Sequence, residues 1–296
     1  MSIPRDHHFI PVFYLKQWCA ANGKLIEYSI KHGKSICKSV GPRHTGFEPD
    51  LYSFPELPVD AAQHIEKVFL QYVDDTAARA LRLRLASAKS GWTPELVNGW
   101  SRFLLSLHIR HPDAMKEFRA ATKSIWKKSG ADAQAEYELT RKPTDPQTFD
   151  EYIAKIDPLI PVKASINSII KAFDNDLVGN HFNSMWQSVV NLSASRHQLL
   201  TSDRPLGLYN LKQPDGILYL PISPTLLFFA SNDRGAAHRL IMSKPTDIVM
   251  EVNRIVVSRA RRYVYAQTES QETFIRRMMS TEAEPTPLFP ELDKYK

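Results

Sequence analysis

The chain has 296 residues, 43% of them hydrophobic and 24% charged, with a formal net charge of +6. This is ordinary globular composition, long enough to bury a sizeable core. Two cysteines, Cys19 and Cys37, exclude a disulfide framework and point to a reducing compartment. The most apolar stretch, Ile217 to Ala230, is too short to span a bilayer and carries Pro221 and Pro224. No cationic, apolar leader opens the chain. A soluble, cytoplasmic protein is the expectation. The basic balance is compatible with a phosphate-bearing partner, a sign many soluble proteins share.

The first element is an aromatic-rich segment, Phe9 to Trp18, that carries Phe13, Tyr14 and Leu15 and is suited to docking into a core. Lys24 to Ile30 alternates as a strand, and Ser35 to Val40 pairs with it across His32-Gly33. From Val59 to about Ala88 the pattern is helical, with Ile65, Val68, Phe69, Tyr72 and Val73 on one face. Thr93 and Pro94 open a second helix, as N-cap and first helical residue, and Pro112 ends or kinks it. A basic helical stretch follows from Ala114 to about Lys128. Residues 129–150 read as a polar excursion, because Lys142-Pro143 and Asp145-Pro146 interrupt them.

Helical spacing returns from Leu159 to Leu177. The last third turns β-rich, with strands at His197 to Thr201, Ile217 to Leu220 and Leu226 to Ala230. A helix from Pro245 to Tyr265 closes the fold, and residues 270–296 form a polar tail. The expected architecture is α+β in one domain, residues 1–296: an N-terminal β-hairpin, a helical middle, a β-rich section and a closing C-terminal helix.

The common phosphate-loop, dinucleotide, zincin, CxxC and nucleophile-elbow patterns are absent. What remains is a set of polar residues in apolar company. His7 and His8 sit beside the docking segment. Imidazoles serve as acid, base or metal ligand, or simply bond to backbone. Consecutive residues of an extended segment face opposite ways, so one of the two faces a given site. Arg110 ends an apolar helix beside His108 and His111. It can clamp an anion, or interact with the helix-terminal carbonyls while His111 caps. Ser202 and Asp203 stand where a strand runs out before Pro205. Asp203 can be a base, a metal ligand or an orienter of His8, or can form a local turn. Glu66 lies among apolar helical neighbours. Asn253, Arg254, Arg259, Arg261 and Arg262 make a basic stretch that is also readable as a solvated helix face.

In order and spacing these pieces resemble the uncharacterised family called domain of unknown function 4238. His8-Phe9-Ile10-Pro11-Val12-Phe13-Tyr14-Leu15 is similar to the family's His-x-x-Pro-x-x-Tyr-Leu opening. Leu51-Tyr52, Glu66, Arg110 with Pro112, and Trp186 match further positions. Thr201-Ser202-Asp203-Arg204-Pro205, Leu220 to Pro224, Asn253, and Ala260 to Tyr265 complete the set. The match runs along nearly the whole chain. His7 departs from the family pattern, which favours His8 of the pair. The family name implies no activity.

The combined expectation is one polar pocket formed by His8, Glu66, Arg110, Ser202, Asp203 and Asn253, with Arg254 and Arg259 as further binding residues. Buried charges need partners, so these groups should pair with one another. A His-Asp couple with an arginine suits hydrolysis of phosphate or phosphodiester groups, as in a nuclease. His8 would then be acid/base, Asp203 its orienter or a metal ligand, and Arg110 the anion stabiliser. A nucleic acid or nucleotide is the expected partner, with a divalent metal and the oligomeric state left open. The rivals are a non-catalytic anion- or RNA-binding module and a purely structural His8–Asp203 tie.

Overall fold

The structure is a computed structural model that describes residues 5–282 apart from 32, 55 and 58–64. The described residues form an α+β fold with three sheets. The opening strand β1 (Asp6–His8) pairs antiparallel with β4 (Phe47–Pro49), an element not expected from the sequence. The hairpin is present as β2 (Leu25–Lys31) and β3 (Lys34–Val40), with Lys31 opposite Lys34. Gly33 supplies the positive φ of 73° that the two-residue turn requires. The sheet continues through β10 (Val264–Ala266) to β6 (Thr201–Ser202), in the order β3-β2-β10-β6. N-terminal and C-terminal segments therefore share one sheet.

The docking segment folds as a short helix α1 (Val12–Leu15) and a 3-10 turn over Lys16–Trp18. Phe9, Ile10, Tyr14, Leu15 and Trp18 are fully buried, against Trp100, Phe103 and Phe228 among others. Trp18 Nε1 donates to the Leu199 carbonyl at 3.0 Å, and Tyr14 Oη donates to the Pro221 carbonyl at 2.7 Å. Each polar tip is thus satisfied while its ring packs, as buried Trp and Tyr require.

The middle is helical. A π-helical turn over Ile65–Leu70 precedes α2 (Gln71–Leu85). A π turn inserts a residue and rotates the helix face. Leu70, Val73 and Ala77 are therefore buried, while Tyr72, expected inward, is exposed. Helix α3 (Pro94–Ile109) starts as expected, with Thr93 Oγ1 accepting from the Leu96 N–H. Gly99 lets α3 approach α2, since a Cβ there would fall 2.3 Å from Thr76 Cγ2. Helix α4 runs from Pro112 to Thr140, well into the expected polar excursion. The Ala, Gln and Glu residues after Gly130 are good helix formers, and polarity alone misled there. The excursion shrinks to a turn before α5 (Phe149–Ile156), which a Thr148–Glu151 capping box opens. Helices α6 (Ile160–Phe173) and α7 (Asp176–Ser184) follow.

The second sheet has the order β5-β9-β8-β7, from β5 (Trp186–Asn191), β7 (Gly207–Tyr209), β8 (Ile217–Ser223) and β9 (Leu226–Ser231). Helices α8 (Arg234–Met242) and α9 (Pro245–Ser258) follow it. The closing helix stops at Ser258 rather than Tyr265, because Val264–Ala266 leave to pair with β2 and β6. Part of the expected polar tail is ordered as α10 (Glu272–Met278), with Ile275 fully buried. The strand expected over residues 197–201 is reduced to Thr201–Ser202. The Leu200 N–H goes to the Asn253 side chain at 2.8 Å, and the Leu199 N–H to the Pro224 carbonyl at 2.8 Å.

Candidate functional site

Asp203 leaves the end of β6 fully buried. Its own N–H donates to the Tyr263 carbonyl, which fixes the backbone beside the turn between α9 and β10. The carboxylate accepts the Arg262 N–H at 2.6 Å and the Arg261 N–H at 3.0 Å. Successive backbone N–H groups of this kind form an anion-holding nest. A third partner is an imidazole, and it belongs to His111, with 3.2 Å between Nε2 and Oδ2. His111 also caps α4, its Nδ1 accepting the Asp113 N–H at 3.3 Å. That bond puts the ring proton on Nε2, which therefore donates to Asp203. Both ring nitrogens of His111 are engaged.

Arg110, at the end of α3, is fully buried. Its guanidinium forks onto Asp74 of α2 at 3.0 and 3.3 Å and donates to Ser106 Oγ at 2.7 Å. Burial raises the Asp74 carboxyl above its usual range, even against Arg110. The Arg110 carbonyl accepts from Tyr52 Oη at 3.0 Å. The Tyr52 ring stacks on His7, centroids 5.5 Å apart and planes within 6°, and the Tyr52 backbone N–H donates to His7 Nδ1 at 3.0 Å.

Strand alternation sorts the histidine pair. His7 points inward and is fully buried, while His8 lies on the other face with Asp6 and is half-buried. His8 packs against Phe47 of β4, and its Nε2 is buried with no hydrogen-bond partner among the described residues. Burial lowers its pKa first of all; Arg43 and Arg110 act the same way, while a backbone bond at Arg43 and the charge of Asp6 oppose them. Phe9 bridges the layers, edge-on to His111 at 5.6 Å and under the Arg262 guanidinium at 5.8 Å. Arg262 reaches Glu48 at 2.6 Å, and Arg204 reaches Asp113 at 3.1 Å.

His108 lies one turn before His111, near three cationic or ionisable neighbours. Burial, then Arg259, Arg204 and His111, lower its pKa to about 4. A lowered histidine pKa means that the unfolded chain takes the proton first. The fold therefore loses stability as pH falls from about 6.5 toward about 4, by up to about 3 kcal/mol. In urea unfolding at pH 7 and pH 4, His108→Asn should show a drop smaller by that amount. Equal drops in the two proteins would contradict this assignment.

With this geometry in place, comparison with known proteins adds one result. The family model described as protein of unknown function (DUF4238) matches residues 6–270. The chain belongs to the DUF4238 family. No curated protein and no solved structure matches it.

In this DUF4238 chain the expected site residues separate. Asp203 meets His111 where His8 was expected, and Arg110 serves Asp74 and Ser106. Ser202 is buried in β6 and accepts the Arg204 N–H at 3.1 Å, a local turn bond. Asn253 stitches α9 to the chain before β6: besides Leu200, it donates to the Gln198 carbonyl at 2.9 Å. Arg254 is held by Glu251 at 2.7 Å, on the surface of α9. Arg259 lies 3.9 Å from Glu282 and lines a separate cavity with Arg254. The side chain of Glu66 lies outside the described residues. Sequence reasoning noticed His111 as a cap but not as the partner of Asp203. It missed Asp74, whose acidic pair Asp74-Asp75 on a helix carried no distinguishing signal. Among the described residues, no group of three or more His, Cys, Asp or Glu is placed to hold a metal ion. None of their helices is long and apolar enough to cross a membrane.

Proposed function

We propose that this protein is a hydrolase of phosphate or phosphodiester groups, with His8 as acid/base and a nucleotide or nucleic acid as substrate. The observation that carries the reading is His8 Nε2, buried and unpartnered while Asp203, Arg110 and His111 are all engaged inside the protein. Leaving a buried polar atom unpaired costs about 1–3 kcal/mol, so such an atom calls for a role. Burial first of all lowers its pKa, which leaves the ring neutral near pH 7 and so free to accept a proton. Asp6 shares its strand face, and the exposed Arg43 is unpaired by any carboxylate among the described residues. Arg43 is thus suited to steady a phosphate anion. In this reading Asp203 and Arg110 act as positioning residues. They hold the α3–α4 junction and the turn at Arg261 and Arg262 against which Phe9, and so β1, packs.

A second reading, a non-catalytic anion binder, draws support from the same engagement of Asp203 and Arg110, which leaves few groups for chemistry. The test is incubation of the pure protein with mixed single- and double-stranded RNA and DNA, under Mg²⁺, Mn²⁺ and chelator. The hydrolase reading expects cleavage in the wild type and a loss of about 100-fold or more in a folded His8→Gln protein. Binding without cleavage, weakened by Arg43→Gln, favours the second reading.

A further inference from the structure

A cavity of 690 Å³ lies between α9 and the second sheet, away from the residues assigned above to hydrolysis. Its walls are apolar: Leu208, Ile217 and Leu227 from the sheet, and Ile248, Val252 and Ile255 from α9. Cavities of about 300–1,000 Å³ with a few convergent polar groups are the usual form of small-molecule sites. The polar groups here occupy one corner.

Tyr219 is 8% exposed and lines the cavity with its phenol, whose hydroxyl can donate or accept. Its ring sits over Gly207, where a Cβ would fall 2.0 Å from the ring Cζ, so glycine is required at that position. The phenol pKa is pushed up to about 12, by burial first. Arg259 adds a second spare donor: its Nε is buried without a hydrogen bond, and Glu282 stands 3.9 Å away. The neighbouring groups are occupied. Arg254 donates to both oxygens of Glu251, and Ser258 Oγ donates to Glu282. The corner therefore offers two donors, Tyr219 Oη and Arg259 Nε, on which one ligand oxygen can converge.

We propose that this cavity binds a lipid-like molecule, its apolar body against Leu227, Val252 and Ile255 and one carbonyl or carboxylate oxygen accepting from Tyr219 and Arg259. A neutral ester and a free acid share that chemistry, and the charge balance of the two Arg and two Glu side chains admits both.

The test displaces an apolar fluorescent dye from the full chain with decanoate, with methyl decanoate and with butylbenzene, which lacks oxygen. The expected result is saturable one-to-one displacement by at least one oxygen-bearing probe. Butylbenzene, which loses both hydrogen bonds, should be weaker by about 25- to 100-fold. Tyr219→Phe, which keeps the ring over Gly207, and Arg259→Gln should each weaken the oxygen-bearing probe by about five- to tenfold. Ile255→Trp, which narrows the apolar wall, should weaken all three probes, and His8→Gln should leave binding unchanged. Absence of saturable binding, or equal binding of all three probes by wild type, Tyr219→Phe and Arg259→Gln, overturns the proposal. Its failure leaves the hydrolase reading untouched, since the two rest on different residues.

Discussion

Replacing Asp203 by alanine should cost about 3–5 kcal/mol of unfolding free energy, the penalty typical of breaking a buried charged network. The carboxylate is fully buried and accepts from two backbone N–H groups and from His111 Nε2. Removing it orphans three donors at once, and hydrogen bonds to a charged group are worth about 1.5–3 kcal/mol each before compensation. The affected groups also hold the turn that turns α9 back into β10, so the loss is felt in the central sheet. Asp203→Asn keeps the shape, but its amide brings donors toward donors, and it should recover less than half of the loss. Urea unfolding followed by far-UV circular dichroism measures both. A cost below about 1 kcal/mol for the alanine protein would mean that water replaces the carboxylate and that the network is not a tie.

The second large effect is expected at Arg110→Met. The long apolar side chain fills much of the same volume, so lost packing is small, while Asp74 and Ser106 lose their shared donor. Leaving the Asp74 carboxylate without its cation should cost about 3–5 kcal/mol at pH 7. The sign with pH follows from Asp74. Its folded pKa is already raised by burial and is held down by Arg110, so losing Arg110 raises it further. A carboxyl with a raised folded pKa is favoured in its protonated form, so its penalty is present at high pH and fades as pH falls through the folded value. The Arg110→Met protein should therefore regain part of its deficit relative to wild type between pH 7 and pH 5. A deficit that stays constant over that range would show that the charge on Asp74 is not what the substitution exposes.

Much of the framework was legible because local chemistry and tertiary packing agree. Thr93-Pro94 caps its helix, Gly33 makes its hairpin turn, and the aromatic opening docks as its burial pattern demanded. The disagreements have local causes. On the expected face of the first long helix Ile65 and Val73 are buried and Phe69 packs on the core, and among the described residues Tyr72 alone turns out to solvent, because a π turn leaves no mark in hydrophobic spacing. The long α4 was cut short, because polar residues with high helix propensity resemble a linker. The closing helix was overextended, because Tyr263, Val264 and Tyr265 continue an apolar pattern that strand pairing captures. At the site, Asp203 was legible as a buried carboxylate, but its imidazole partner was not. Pairing across 92 residues depends on where Pro112 turns the chain and where the nest at Arg261 forms, and neither has a sequence signature. His8 stood out for its place beside the docking segment. The same alternation of the strand that buries His7 leaves His8 on the face with Asp6.

The most direct test of the role of His8 is the pH–rate profile for cleavage of a phosphodiester by wild-type and His8→Gln proteins, both verified as folded. Burial lowers the His8 pKa, so the wild-type rate should climb through an apparent pKa below 6.5 and level off by neutral pH. That limb should vanish in His8→Gln, along with about 100-fold or more of the rate. The same limb at the same rate in both proteins would contradict the account and place the chemistry elsewhere.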